Sequence, residues 1–248
     1  MRLDFATFAE RPDLAPLAQR FPGGWHEFMY HDPLAPLYYD HADTTWAEYA
    51  LIAVDAADPS SPVAKAYSVP FDVPADPAGL PPDGWDRVIL GAVADLVAGR
   101  RRAHVSALEI TIQPALRGKG LAGQVLNAMR DNAKRLGHDV LVAPVRPSAK
   151  SDVPTEPIEE YAFRVRSDGL PVDPWLRVHV RAGAKIVKVA PRSMTITGTL
   201  DEWRSWTGLP FDRPGPVIVP GALVPVHCDP AQGVAVYVEP NVWVRHDL

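Results

Sequence analysis

The sequence predicts an α/β fold organised around a right-handed parallel crossover, and three observations carry that prediction. Residues 105–112 read as a strand. Residues 121–136 place Leu121, Val125, Leu126, Met129, Ala133 and Leu136 on one helical face and stop at Gly137, and residues 139–145 form a second, nearly all-apolar strand. Strand, helix and strand with short joints imply two parallel strands inside a buried central sheet. At 248 residues the chain can bury a core without covalent staples, and one large domain, or a domain with an appendage, is expected.

The flanking elements follow in order. Residues 4–21 lean helical but are broken by Pro12 and Pro16, which predicts short helices. Residues 22–43 are aromatic and loop-like. Two β-rich stretches, 46–54 and 63–73, are separated by Asp58-Pro59-Ser60-Ser61-Pro62 and read as a hairpin. Val88, Ile89, Ala92, Val93, Leu96 and Val97 then recur at helical spacing within 85–102. After the central crossover, residues 146–173 make a polar, proline-studded connection longer than an inert loop usually is, a candidate substrate-binding element. Asp173-Pro174 opens a short helix that Gly183 closes before a strand at 185–189. Residues 191–248 change texture. Thr199-Leu200-Asp201-Glu202 has the form of a capping box for a helix ended by Gly208, and short strands at 217–220, 222–228 and 234–238 suggest a small antiparallel β appendage. The expected organisation is a main domain over 1–190 with a carboxy-terminal extension, 191–248, packed on it.

Composition excludes several classes. A net charge of -5 disfavours a general nucleic-acid binder. A single cysteine, Cys228, permits neither an internal disulfide nor a cysteine-cluster metal site, which fits a reducing compartment. Met1-Arg2-Leu3-Asp4 opens no apolar leader, and no later apolar run reaches membrane-spanning length, so a soluble, cytoplasmic protein without a membrane partner is expected, as monomer or homodimer. The 27 prolines, roughly twice the usual share, predict rigid loops.

The chemistry sits between the first central strand and its helix. Gly118 and Gly120 permit positive φ and leave successive amide hydrogens aimed at one spot. The helix beginning near Leu121 points its positive end there, and Arg117 and Lys119 add charge. Those features together make a pyrophosphate cradle.

The run Arg117-Gly118-Lys119-Gly120-Leu121-Ala122 resembles the acyl-CoA motif of the GCN5-related N-acetyltransferase (GNAT) superfamily, Arg-Gly-x-Gly-x-Gly/Ala between a strand and a long amphipathic helix. The resemblance covers about residues 46–190. It implies a mixed, strongly twisted sheet with a V-shaped split between two parallel central strands and helices on both faces. It also implies that acetyl-CoA, or another acyl-CoA, is a co-substrate, that the backbone of Ile110, Thr111 and Ile112 orients its pantetheine arm and acyl carbonyl, and that no metal is needed. The helix before Gly183 resembles the family's last helix, with His179 standing where a tyrosine is common.

Acyl transfer to an amine needs a base for the ammonium proton, donors for the oxyanion and an acid for the departing thiolate. Glu109, one residue before the acyl-binding backbone, is the candidate base. His179 is the candidate acid, because an imidazole donates a proton near neutrality, and Tyr161 is the fallback. Arg146, Arg164, Arg166, Arg177 and Arg181 hint at an acceptor amine that also carries an anionic group, and Trp175, Trp203, Trp206 and Trp243 are aromatic candidates for its pocket. The expected activity is direct acetyl transfer to a small-molecule amine in a ternary complex. A protein that binds acyl-CoA without turning it over is the reading from another class.

Other motifs are decoys. Gly118, Gly120 and Gly123 spell a dinucleotide fingerprint, but Gln113 to Arg117 intervene after the strand and the next strand ends in Pro144-Val145-Arg146 rather than an acid. His26-Glu27-Phe28-Met29-Tyr30-His31 misses zinc-helix spacing by one residue. His227-Cys228-Asp229 alternates across a strand and is no nucleophile pair, so Cys228 reads as structural.

Overall fold

A computed structural model describes every residue except 20, 22 and 23. In chain order the strands are β1 (Leu3–Thr7), β2 (Ala50–Asp55), β3 (Asp58–Phe71), β4 (His104–Ile112), β5 (Val140–Val145), β6 (Lys185–Thr199), β7 (Gly215–Val217), β8 (Val226–Asp229) and β9 (Val234–Asp247). The helices are α1 (Ala15–Gln19), α2 (Ala35–Tyr39), α3 (Gly84–Val97), α4 (Leu121–Arg135), α5 (Ile158–Ala162), α6 (Pro174–Arg181) and α7 (Leu200–Thr207). The strands form one mixed sheet in the order β1-β2-β3-β4-β5-β9-β8-β7, with β6 also paired to β9. Among the described residues only β4 and β5 pair in parallel, joined by the α4 crossover.

Strand β5 shows why the centre is so apolar. Val140 and Val142 face the cluster that contains Val88, Ile89 and Trp243, whereas Leu141, Ala143 and Val145 face the one that contains Leu121, Val125 and Leu176. A strand covered on both faces loses the apolar-polar alternation of a half-exposed one. Helices α2, α3 and α7 therefore cover one side of the sheet and α4 and α6 the other. Each fully buried aliphatic side chain contributes roughly 1.5–3 kcal/mol to holding these layers together.

Several expectations are corrected. The opening of the chain is an edge strand, β1, because β2 offers a pairing partner that local propensity does not reveal; the short helices begin at Pro12, with a 3-10 turn that runs into α1. The hairpin reverses at residues 56–57, and the Asp58–Pro62 run lies inside β3, where register shifts opposite Val54 absorb its prolines. Helix α3 stops at Val97, and Arg100 and Arg102 fold back onto Asp95. The boundary expected at 190/191 falls inside β6, which runs 15 residues. Strand β9 continues through Glu239-Pro240-Asn241 to Asp247, because a matching irregularity in β6 between Ala190 and Met194 accommodates the proline. Its second half pairs along all of β5, so the last segment completes the central sheet. No helix among the described residues is long and apolar enough to cross a membrane.

Candidate active site

The two parallel strands separate almost as soon as they meet. Val105 pairs with Leu141 and Ser106 with Val142, and no later β4 residue pairs with β5. On its other edge β4 carries a bulge: Tyr67 faces Glu109 and Ser68 faces Ala107, which leaves Leu108 unmatched. A bulge bends and twists its strand. Here it coincides with the point where β4 leaves β5, so the backbone of residues 107–112 opens a V-shaped gap.

The gap leads to a glycine turn. Past Ile112 a single 3-10 turn, Pro114–Leu116, delivers Gly118 and Gly120 at φ 75° and 74°, with Gly120 as the N-cap of α4. A β-carbon at either glycine would meet nothing within 4 Å. Residues 117–120 are exposed, and among the described residues the amides of 118–120 donate to no backbone carbonyl outside helices and strands. Leu121 is buried and anchors the first turn of α4 behind this turn. Arg117 donates from Nε to the Ile112 carbonyl at 3.3 Å, and its guanidinium lies against Gly24, where any side chain would collide with it. Open amides at the positive end of a 15-residue helix form an anion cradle.

Glu109 lies on the face covered by α2 and α3, buried beside the bulge. Thr111 Oγ1 donates to its Oε1 at 2.5 Å, Lys65 Nζ stands 3.6 Å from the same oxygen, and the Tyr39 phenol lies near enough to feel the carboxylate's charge. Cross-strand pairing accounts for the grouping, because Lys65 faces Thr111 and Tyr67 faces Glu109 on adjacent strands. Tyr38, Tyr39 and Tyr67 close the niche with rings in edge contact at 5.2–5.8 Å. Burial, helped by the nearby Glu109 charge, pushes all three phenols above their usual range, so they stay protonated hydrogen-bond donors. Sequence reasoning singled out Glu109 but missed Lys65 and the tyrosines. The aromatic richness of residues 22–43 was the signal for Tyr38 and Tyr39, and nothing local marked Lys65 or Tyr67.

The other named catalytic candidates lie on the face of the sheet that α4 and α6 cover. His179 is 2% exposed on the α4–α6 face, and its Nδ1 is 3.0 Å from His246 Nε2. His246 opposes Leu141 on β9, one strand removed from the gap. Burial and the adjacent ring drive His179 well below its ordinary pKa, and burial with the charge of Arg130 lowers His246 to about 4, so both rings are neutral at pH 7. The outer nitrogens, His179 Nε2 and His246 Nδ1, have no protein partner. Tyr161 donates to Asp173 Oδ2 at 3.0 Å, and Asp173 Oδ1 caps α6 through Trp175 and Leu176.

The five arginines do not converge. Arg164 and Arg166 pair with Glu156 and Asp168, Arg177 binds the carbonyls of Pro171 and Val172, and Arg181 is exposed. Arg146 instead pairs with buried Glu239 at 2.8 Å. Trp203 and Trp243 are core residues, and Trp206 stacks on His31. His26 stacks on Phe28, and no group that could hold a metal ion exists among the described residues. Cys228 is buried in the core.

No family model matches the chain. An arginine N-acetyltransferase, avaD, from Aspergillus versicolor is 35% identical to it, covering 90% of this chain and 85% of that protein. The chain belongs to the GCN5-related N-acetyltransferase superfamily. Two solved structures share the fold of this GNAT acetyltransferase. The loading GNATL domain of CurA from Lyngbya majuscula superposes with a TM-score of 0.58 at 19% identity, covering 100% of this chain and 98% of that one. The GphF GNAT-like decarboxylase in complex with isobutyryl-CoA superposes with a TM-score of 0.52 at 17% identity, covering 100% and 99%. The β4–β5 gap and the turn before α4 are thus features of a chain with the GNAT fold.

Proposed function

We propose that this GNAT enzyme transfers an acetyl group from acetyl-CoA to an amine of a small molecule by direct attack in a ternary complex. The observation that carries the reading is the loss of β4–β5 pairing after Ser106, in a gap that opens onto the amides beyond Arg117. In this reading the backbone amides of 118–122 hold the pyrophosphate, with Arg117 and Lys119 adding positive charge, and the backbone of Ile110, Thr111 and Ile112 aligns the thioester. Glu109 takes the ammonium proton. Its carboxylate is held by Thr111 and charge-matched by Lys65. The freed amine attacks the acyl carbon, the C–S bond breaks and the thiolate leaves.

The reading assigns His179 Nε2–H as the hydrogen-bond donor to that thiolate. It requires the tautomer in which His246 Nε2–H donates to His179 Nδ1. Tyr161, whose proton is given to Asp173, anchors the 146–173 connection. An amino-acid-sized acceptor is supported by the A. versicolor relative, named for arginine.

The test is release of free thiol from acetyl-CoA in the presence of arginine, agmatine, ornithine, lysine and a simple alkylamine, with the acetylated amine identified by mass. Thiol release coupled to acetylation of at least one of them is expected. Acetyl-CoA binding without turnover on any amine would overturn the reading in favour of a binding module.

A further inference from the structure

Two carboxylates on the Glu109 face lack a countercharge. Asp32, just ahead of α2, is 3% exposed; its Oδ1 accepts from the amides of Leu34 at 2.8 Å and Ala35 at 3.2 Å, and its Oδ2 has no partner. Asp86, in the first turn of α3, lies beside the backbone of Thr195, and its Oδ1 has no partner. Their acidic neighbours are already matched: Asp83 with Arg87 at 3.2 Å, and Glu239 with Arg146 Nε at 2.8 Å and the Tyr237 hydroxyl at 2.7 Å. Among the described residues no cation pairs with Asp32 or Asp86. A buried charge left unpaired is expensive, and holding the Leu34 and Ala35 amides does not require it, since an asparagine oxygen accepts them as well.

The pair also belongs to the segments, α3 and the run into α2, that pack together beside the β4 bulge. Asp32 leads into the helix whose Tyr39 neighbours Glu109, and Asp86 follows Trp85, whose indole donates to the Leu108 carbonyl at the bulge. Two open carboxylate oxygens from separate elements suit a planar cation with several N–H donors, and the described residues hold no metal-binding trio.

Building on the amine-acceptor reading, we propose that Asp32 and Asp86 form a subsite for a guanidinium group, so that the acceptor carries its attacking amine at Glu109 and a cationic side chain here. Burial and the charges of Asp32, Asp83 and Glu239 raise Asp86 to about 7, and burial raises Asp32. The empty pair therefore retains a proton near neutrality, which the guanidinium displaces on binding.

The test compares arginine with citrulline, its uncharged ureido counterpart, at saturating acetyl-CoA, in the native enzyme, Asp86→Asn and Asp32→Asn. The second variant keeps an oxygen for the α2 amides. The native enzyme is expected to favour arginine in kcat/KM by at least ~10²-fold, and each variant to lose most of that ratio with the acetyl-CoA KM unchanged. The KM for arginine should fall as pH rises from 6 to 8 in the native enzyme and stay level in Asp86→Asn. An arginine-to-citrulline ratio that survives both substitutions, or a native enzyme indifferent between the two, overturns the subsite. Should no amine be acetylated, the activity reading fails by itself. The subsite is then decided by methylguanidine, which must raise the Tm of the native protein and not of Asp86→Asn, or the proposal falls too.

Discussion

Trp85 donates its indole N–H to the carbonyl of Leu108 at 3.3 Å, tying the first turn of α3 to the bulge at which β4 leaves β5. The Trp85 amide meanwhile donates to Ser193 Oγ at 2.8 Å, and Ser193 donates to Asn241 at 2.6 Å. Gly84 packs so tightly on Ser193 that no side chain fits there. The end of α3 that carries Asp86 is thus pinned to both β4 and β9, and the acceptor side is registered against the gap.

Removing that indole donor tests the registration. Trp85→Phe keeps the aromatic packing against Tyr39 and should lower stability by about 1 kcal/mol, the net worth of one hydrogen bond. As a positioning effect, kcat should fall by about tenfold through displacement of the bulge, with pyrophosphate affinity intact. A variant with native kcat would show that the Leu108 carbonyl needs no anchor.

Glu109→Gln should lower kcat by 10²-fold or more, the usual range for a lost general base. Acetyl-CoA binding should persist, since the carboxylate lies on the opposite side of the sheet from α4. Steady-state rates with the best amine acceptor, alongside calorimetric titration with acetyl-CoA, measure both. A kcat within about threefold of native would remove Glu109 from the reaction.

The buried titrating groups predict two opposed effects of pH on stability. His246 is held at about 4 against an ordinary 6.5, and His179 is lowered with it. The unfolded chain therefore binds these protons first, and the pair's contribution is lost as pH falls from about 6.5 towards 4. Asp86 is held at about 7 against 3.8, so its contribution is present below 3.8 and lost as pH rises to 7. Thermal melts from pH 4 to 8 should show Asp86→Asn gaining on the native protein as pH rises, and a His179→Leu, His246→Leu double variant gaining as pH falls. Parallel curves for all three proteins would refute both assignments.

What could be read from the sequence is what is local. Gly118, Gly120 and the apolar face of α4 lie within one stretch of chain, so turn chemistry and helical period suffice to place the cradle. Glu109 was within reach because it adjoins that stretch. Lys65, Tyr39, Asp32 and Asp86 come from β3, α2 and α3 and the loop before α2, and only cross-strand register and tertiary packing bring them to one side of the sheet. Strand β9 was cut short for a similar reason. Pro240 looks like a terminator until the irregularity in β6 opposite it is known.

Gly120→Asp addresses the central claim most directly. Its φ of 74° and the open space around it admit aspartate, which tolerates the left-handed region, so the variant should melt at nearly the native Tm. With acetyl-CoA at 100 times its dissociation constant, the native protein gains about 2.7 kcal/mol, read as a clear rise in Tm. A carboxylate in the cradle should abolish that rise, while Gly120→Asn, neutral and of similar shape, keeps most of it. Equal stabilisation of Gly120→Asp and the native protein by acetyl-CoA would contradict the account.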